Sequence, residues 1–118
     1  MDYDKLCNVI MKLDSLIRFV VVLNQNGDRV AGGSHENISS LLNPEEVKMS
    51  QYYASRRWEA RGNLSHRIGD AKYSTTAYEK VKQITMPVSK TELLLISTEP
   101  SANQFQIIEQ ILKLIESN

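Results

Sequence analysis

The chain has 118 residues and a mass of 13.4 kDa, enough for one domain with a buried core and too little for two. Apolar residues make up 42% and charged residues 24%, which excludes a disordered chain. Fourteen basic residues balance fourteen acidic ones, so no overall charge attracts the protein to nucleic acid or to an anionic membrane. We therefore expect one globular domain over residues 1–118, and nucleic acid binding through a local basic patch is the least favoured of the functions considered.

The chain opens with no leader pattern, and no apolar run approaches the ~20 residues that span a bilayer. We therefore expect a cytoplasmic protein without membrane insertion. The single cysteine, Cys7, lies among apolar positions, which favours a buried and unreactive thiol. His35 and His66 lie in separate loops, and no spacing resembles a zinc site, so neither a metal nor a cofactor is expected.

The first half of the chain predicts a helix followed by a hairpin. Residues 3–16 carry apolar side chains at spacings of three and four, which predicts an amphipathic helix. Ile17–Leu23 is an apolar, mostly β-branched run, so we expect a strand that is covered on both faces. Asn26 and Gly27 predict a tight hairpin turn in which both residues have positive φ, and 28–31 return as a second strand. Gly27 leads into a strand rather than a helix, so the sequence favours a hairpin over a phosphate-binding loop.

A second helix is predicted between Asn43 and Arg61. Asn43 is a favourable N-cap, Pro44 suits the first helical position, and Glu46 completes a capping box. Gly62 follows the last helical residue. The spacing of the apolar residues in this segment predicts a helix that packs on the sheet.

The second half predicts three strands and a last helix. We expect strands at 71–78, 81–88 and 93–96 and a helix over 103–116. In the fourth strand we place Ile84, Met86 and Val88 on one face and Lys82 on the other. The residues 93–96 are apolar throughout, so this strand, like the first, should be central.

The predicted connectivity is therefore α-β-β-α-β-β-β-α. A five-stranded antiparallel sheet of order 2-1-5-4-3 places the two fully apolar strands side by side in the centre. The fold class is α+β, with the first and last helices on one face of the sheet and the middle helix on the other.

Two segments, IRFVVVLNQNGDRVAGG and ITMPVSKTELLLISTEPSANQ, carry a family resemblance. The first resembles the opening hairpin of the roadblock/LC7 family, and the second resembles its closing hairpin and final helix. The longin and profilin-like folds are related to this family. The chain is similar to the family over most of its length, and a prokaryotic or archaeal offshoot fits as well as a named member.

The resemblance implies a non-enzymatic protein. Roadblock-like proteins form homodimers by extending the sheet and packing the middle helix, and they act as platforms or regulators for small Ras-like GTPases. The corresponding interface candidates are Val47, Gln51, Ala54 and Trp58 on the middle helix and Tyr73 in the strand 71–76 at the sheet edge.

The segment RRWEARGNLSHRIGDAK concentrates positive charge. Its arginines, interleaved with aromatic residues, are candidates for binding an anion or a protein partner. They are Arg56, Arg57, Arg61 and Arg67. The alternative is a solvated helix end whose cations offset the helix dipole.

The sequence contains no catalytic signature. No serine lies in a G-x-S-x-G context, and no pair of carboxylates lies on an apolar background, so we do not expect an enzyme. Two functions remain open: a homodimeric interaction module, and a PAS-like or profilin-like sensor of a small molecule or anion. The sensor would need a pocket between the sheet and the middle helix.

Overall fold

The computed structural model describes residues 1–35 and 38–117 of an α+β fold. The elements in chain order are α1 (Tyr3–Met11), β1 (Ile17–Leu23), β2 (Arg29–Ser34), α2 (Pro44–Arg61), a 3₁₀ turn (Gly62–Leu64), α3 (Ser65–Ile68), β3 (Ser74–Ala77), β4 (Lys82–Pro87), β5 (Leu93–Thr98) and α4 (Gln104–Glu116). The predicted connectivity is confirmed except for the four-residue helix α3, which is too short to leave a periodic pattern in the sequence.

The five strands form one antiparallel sheet of order β2-β1-β5-β4-β3, as predicted. The central pair is β1 and β5, and every residue of β5 is buried. Successive side chains of β1 alternate between the two faces, so an unbroken apolar run requires that both faces be covered. The edges of the sheet are β2 and β3.

The turn between β1 and β2 differs from the predicted one. Gly27 has φ +84°, but no residue other than glycine has a positive φ in the described chain, so Asn26 does not take the predicted conformation. Asn24 shapes the turn instead, because its Oδ1 accepts hydrogen bonds from the Asn26 and Asp28 amides at 2.9 and 3.0 Å. The strand β2 also continues through Gly32 to Ser34 rather than leaving the sheet at the glycines.

One face of the sheet is covered by α1 and α4. The buried cluster on this face is Leu6, Cys7, Ile10, Ile17, Val20, Val22, Ala31, Ile84, Met86, Leu94, Ile96, Ala102, Ile107, Ile108 and Ile111. The helix α1 ends at Met11, earlier than predicted, where Asp14 accepts a hydrogen bond from the Leu16 amide at 2.8 Å in a turn. Leu13 and Leu16 still pack against the cluster.

The other face is covered by α2 alone. Asn43 caps the helix with the predicted capping box, in which the Glu46 amide donates to Asn43 Oδ1 and the Asn43 amide donates to Glu46 Oε1. The buried cluster on this face is Val21, Leu23, Ala54, Leu93 and Leu95, with Phe19 and Trp58 packed against it. The predicted arrangement of helices on the two faces is therefore confirmed.

Two details of the second half correct the sequence analysis. The strand β3 is four residues long rather than eight, and Lys82 lies on the same face as Ile84 and Met86 because residues two apart share a face. Its ammonium donates to the Ala102 carbonyl at 3.4 Å. In the described part of the chain, no helix is both long enough and apolar enough to cross a membrane.

Candidate protein-interaction site

The two long sides of α2 face different parts of the sheet. On one side, Arg56 Nη2 donates to the Gln25 carbonyl at 2.7 Å, which ties the helix to the β1–β2 turn. A Cβ at Gly27 would lie 2.7 Å from Tyr52 Cα, so that turn touches the helix backbone. On the other side, Arg61 Nη2 donates to Ser74 Oγ at 3.1 Å. This second side of α2 therefore faces β3.

A row of α2 residues lies on that second side. Residues three and four apart lie on the same side of a helix, so the row that ends at Arg61 can be followed back along α2. We call it the β3-side row: Glu46, Ser50, Tyr53, Arg57 and Arg61. Tyr53, in the middle of the helix, is 52% exposed. A large aromatic side chain thus stands in solvent on the row that ends at Arg61.

The edge strand β3 is regular and open. Its four residues pair with β4 without a register shift, from Ser74 opposite Thr85 to Ala77 opposite Lys82. The sheet ends at β3, so one side of this strand has no neighbouring strand. An edge of this kind presents unpaired amides and carbonyls to any strand that approaches it. The opposite edge, β2, is less suitable, because its pairing with β1 has an irregularity and Gly32 has φ +94°.

The predicted interface residues of α2 lie together, but on the side that faces their own sheet. Ala54 is 2% exposed, and Trp58 packs against the buried cluster of the α2 face. Val47 and Gln51 are half-buried on the same side of the helix, because Gln51 lies three residues before Ala54 and Val47 four residues before Gln51. A second molecule would meet the residues around them. Tyr73 is exposed just before β3, at the open edge.

Sequence analysis missed the exposed residues of α2. Met49, Tyr52 and Tyr53 are all exposed, and the two tyrosine rings contact each other edge to face at 5.4 Å. An apolar period selects the side of a helix that faces its own core, so it does not select these three residues. The sequence feature that could have identified them is an excess of large side chains outside the apolar stripe that includes Ala54 and Trp58.

The four candidate arginines do not converge. Arg56 pairs with Glu59 at 2.7 Å and lies over the Tyr52 ring, toward the β1–β2 turn. Arg61 lies over the Trp58 ring, 5.8 Å from its centroid, toward β3. Arg57 and Arg67 are exposed and have no ion pair with any residue that the structure describes. The arrangement is a spread of positive charge rather than one anion site.

The space directly beneath α2 is filled by side chains. Ala54 and Trp58 pack on the sheet there. An open cleft of about 390 Å³ lies beside this packing, between the β1–β2 turn, α2 and the β4–β5 turn. Mostly polar residues line it, and the Arg56–Glu59 pair stands on its wall. This geometry differs from the enclosed pocket between sheet and helix that a sensor would need.

Cys7 has little chemical reactivity. Its side chain is buried, and burial together with the nearby Asp4 charge raises the pKa of the thiol to about 11. At neutral pH it is a thiol and packs as a small apolar residue. Within residues 1–35 and 38–117, no three His, Cys, Asp or Glu side chains are grouped as a metal ion would require.

Comparison with solved structures identifies the fold. The Roadblock/LC7 domain from Streptomyces avermitilis has a TM-score of 0.76 at 14% identity, covering 99% of this chain and 94% of that one. Myxococcus xanthus MglB has a TM-score of 0.72 at 14% identity, covering 97% and 88%. A structure described as MglB with tetrameric arrangement has a TM-score of 0.76 at 11% identity, covering 94% and 79%. The fold is therefore roadblock/LC7-like.

The sequence comparisons identify a family only by its description. A comparison with curated proteins found no significant match. Residues 1–117 match a family described as "Family of unknown function (DUF6659)". The chain belongs to this family of unknown function, DUF6659, and has a roadblock/LC7-like fold.

Proposed function

We propose that this protein is a non-catalytic interaction module that forms a homodimer through β3 and α2 and acts as a platform or regulator for a protein partner. The observation that supports this is the regular, unpaired edge of β3 beside the exposed aromatic residues of α2. Main-chain groups and aromatic side chains on one continuous surface are the two features that strand-addition interfaces combine.

The geometry of a two-fold contact explains why these features lie together. If β3 of one copy pairs antiparallel with β3 of a second copy, two five-stranded sheets become one sheet of ten strands. Each α2 lies beside its own β3, so the two α2 helices then become neighbours. Tyr53, on the side of α2 that faces this edge, is the aromatic residue best placed to be buried between them.

The partner is proposed from the resemblance to roadblock/LC7 proteins. That resemblance implies a small Ras-like GTPase, and the MglB structure in a tetrameric arrangement supports assembly by proteins of this fold. An exposed arginine outside the proposed helix contact favours a partner with an acidic surface, since Arg67 has no intramolecular counter-charge among the described residues. A cytoplasmic location is part of the same proposal.

The homodimer is tested by Tyr53→Glu. A glutamate at the centre of the contact would be buried against its symmetry mate, so we expect the molar mass by light scattering to fall from that of two chains to that of one. Phe105→Glu is the matched control, because Phe105 is 62% exposed on α4, the helix on the other face of the sheet. A dimer that persists in Tyr53→Glu, or that is lost equally in Phe105→Glu, would contradict the proposed interface.

A further inference from the structure

The charges on α2 are partly separated along its length, although Lys48 follows the two glutamates of the first turn and Glu59 pairs with Arg56 near the other end. Glu45 and Glu46 lie in its first turn, whereas Arg57 and Arg61 lie in its last two turns, and Arg67 follows in α3. Glu45 has no ion pair, and neither have Arg57 and Arg67, within the part of the chain that the structure describes. The helix therefore has an acidic end and a basic end, each with charge available to a partner.

Exposed aliphatic residues lie next to both ends. Leu41 and Leu42 precede α2, and Leu64 and Ile68 follow it, with Ile68 80% exposed. Each pair lies in a segment with a local hydrogen bond. The Leu42 amide donates to Ser40 Oγ at 3.2 Å, and Ser65 Oγ donates to the Gly62 carbonyl at 2.9 Å. Apolar side chains held in place by such turns are available for docking.

We propose that the two ends of α2 are the complementary halves of one contact between two copies of this chain. The inference rests on the proposed homodimer. Two α2 helices related by a two-fold axis beside the sheet edge run antiparallel, so the acidic end of each lies beside the basic end of the other. The helix has 18 residues and is about 27 Å long, which keeps its two ends far apart within one copy.

The β3-side row makes this contact specific. Glu46 and Arg57 both lie in that row, three turns apart, with Tyr53 between them. In an antiparallel pair, Glu46 of each copy approaches Arg57 of the other, and the contact forms twice. Leu41 and Leu42 of one copy then lie near Leu64 and Ile68 of the other, so each pair loses contact with water. The charges select a second copy of this chain in one orientation over unrelated surfaces.

A simpler account assigns the same charges to the helix itself. Carboxylates near the first turn and cations near the last turn stabilise an isolated helix through its dipole. That account predicts a change in the thermal stability of the monomer when the charges are reversed, and it predicts no effect of mixing two variants. The contact between copies predicts instead that mixing the two variants restores the dimer, whatever the reversal does to the stability of the monomer.

The test uses two charge-reversed variants of the full chain. The first is Glu45→Lys with Glu46→Lys, and the second is Arg57→Glu with Arg67→Glu. Each alone places like charges at both contacts, so we expect the dissociation constant of its homodimer to rise about tenfold or more at low salt, measured by sedimentation. An equimolar mixture restores both contacts, so a heterodimer with near wild-type affinity is expected. Glu109→Lys on α4 is the control and should associate like the wild type.

A separate variant distinguishes the loss of the Glu46 charge from the loss of helix capping. Glu46→Gln keeps the capping box, because glutamine also serves at that position, and it removes the charge. We expect it to weaken the homodimer by a smaller factor than the reversal while the circular dichroism spectrum stays unchanged. A Glu46→Gln dimer as tight as wild type would assign the effect to capping and overturn the inference.

The outcomes separate this inference from the proposed homodimer. A monomeric wild-type chain at all concentrations would contradict both. Suppose that Tyr53→Glu disrupts the wild-type dimer but the mixture forms no heterodimer. That result would overturn the pairing of the two helix ends and leave the proposed homodimer in place. Reversed variants that dimerise as tightly as wild type would likewise overturn the pairing of the helix ends and leave the homodimer in place.

Discussion

The two faces of the sheet differ in how completely one chain covers them. Fifteen buried residues form the cluster beneath α1 and α4, whereas five form the cluster beneath α2. The helix α4 has three buried isoleucines, Ile107, Ile108 and Ile111, while α2 buries only Ala54 and Ser55. The first face supplies most of the hydrophobic stabilisation. The second leaves aromatic residues of α2 exposed to solvent.

This contrast shows that a weakly amphipathic helix within a stable fold is a guide to where the protein contacts another molecule. A helix that packs on one sheet needs one apolar stripe. In α2, Met49, Tyr52 and Tyr53 lie outside that stripe and are exposed. They add little to the stability of a single chain, and so their presence points to a contact with another molecule.

The largest expected effect comes from neighbouring residues of β5 that face opposite sides. Ile96 belongs to the α1/α4 cluster and Leu95 to the α2 cluster, and both are almost fully buried. We expect Ile96→Ala to lower the free energy of unfolding by about 4 kcal/mol and Leu95→Ala by about 2 kcal/mol, because fewer buried neighbours surround Leu95. Urea unfolding of both variants measures the difference. A larger loss of unfolding free energy for Leu95→Ala than for Ile96→Ala would contradict the larger contribution of the α1/α4 face to stability.

A smaller effect tests how closely α2 approaches the β1–β2 turn. Gly27 has φ +84°, and a Cβ there would lie 2.7 Å from Tyr52 Cα, so Gly27→Ala should lower the free energy of unfolding by about 2 kcal/mol. Gly62→Ala is the matched control at the end of α2. Gly62 has φ −63° with no atom near the added Cβ, so this change should be neutral or stabilise by about 0.5 kcal/mol. Equal losses in thermal melts would show that the turn does not touch the helix.

The smallest effect concerns the α1 side of the molecule and depends on pH. Tyr3 OH donates to Glu92 Oε1 at 2.8 Å, and burial, together with this bond to a carboxylate, raises the pKa of the phenol above 10.0. The neutral phenol is favoured in the folded state. Its stabilising contribution is therefore complete below pH 10 and decreases as the pH rises through the folded-state pKa.

Tyr3→Phe tests the direction of this pH dependence. The difference in unfolding free energy between wild type and variant should be constant from pH 7 to 9 and should shrink toward pH 11. A difference that grows at alkaline pH would contradict the assigned hydrogen bond.

Much of the fold was predictable because burial on two faces leaves a clear pattern. The apolar runs that begin at Ile17 and Leu93 fixed two central strands, and the order of the other three followed. The capping box of Asn43 and Glu46 likewise marked the start of α2. These features depend on local sequence or on simple alternation, so no tertiary information was required.

The proposed interaction site was less predictable for a physical reason. Periodicity identified Ala54 and Trp58, which are apolar because they meet their own sheet. The edge position of β3 followed from the predicted strand order, whereas the exposed Tyr53 becomes recognisable only when Arg61 and Ser74 show which side of α2 faces that edge. The turn at Asn26 was also mispredicted, because the Asn24 side chain organises it in place of a second positive φ.

The most direct test of the central claim is hydrogen–deuterium exchange of the wild-type chain at two protein concentrations, one well above and one well below the dissociation constant. We expect amides of β3 (Ser74–Ala77) and of α2 (Pro44–Arg61) to exchange more slowly at the higher concentration, while β2 and α4 are unchanged. Exchange in β3 that does not depend on concentration, or protection that arises at β2 instead, would contradict an interface formed by β3 and α2.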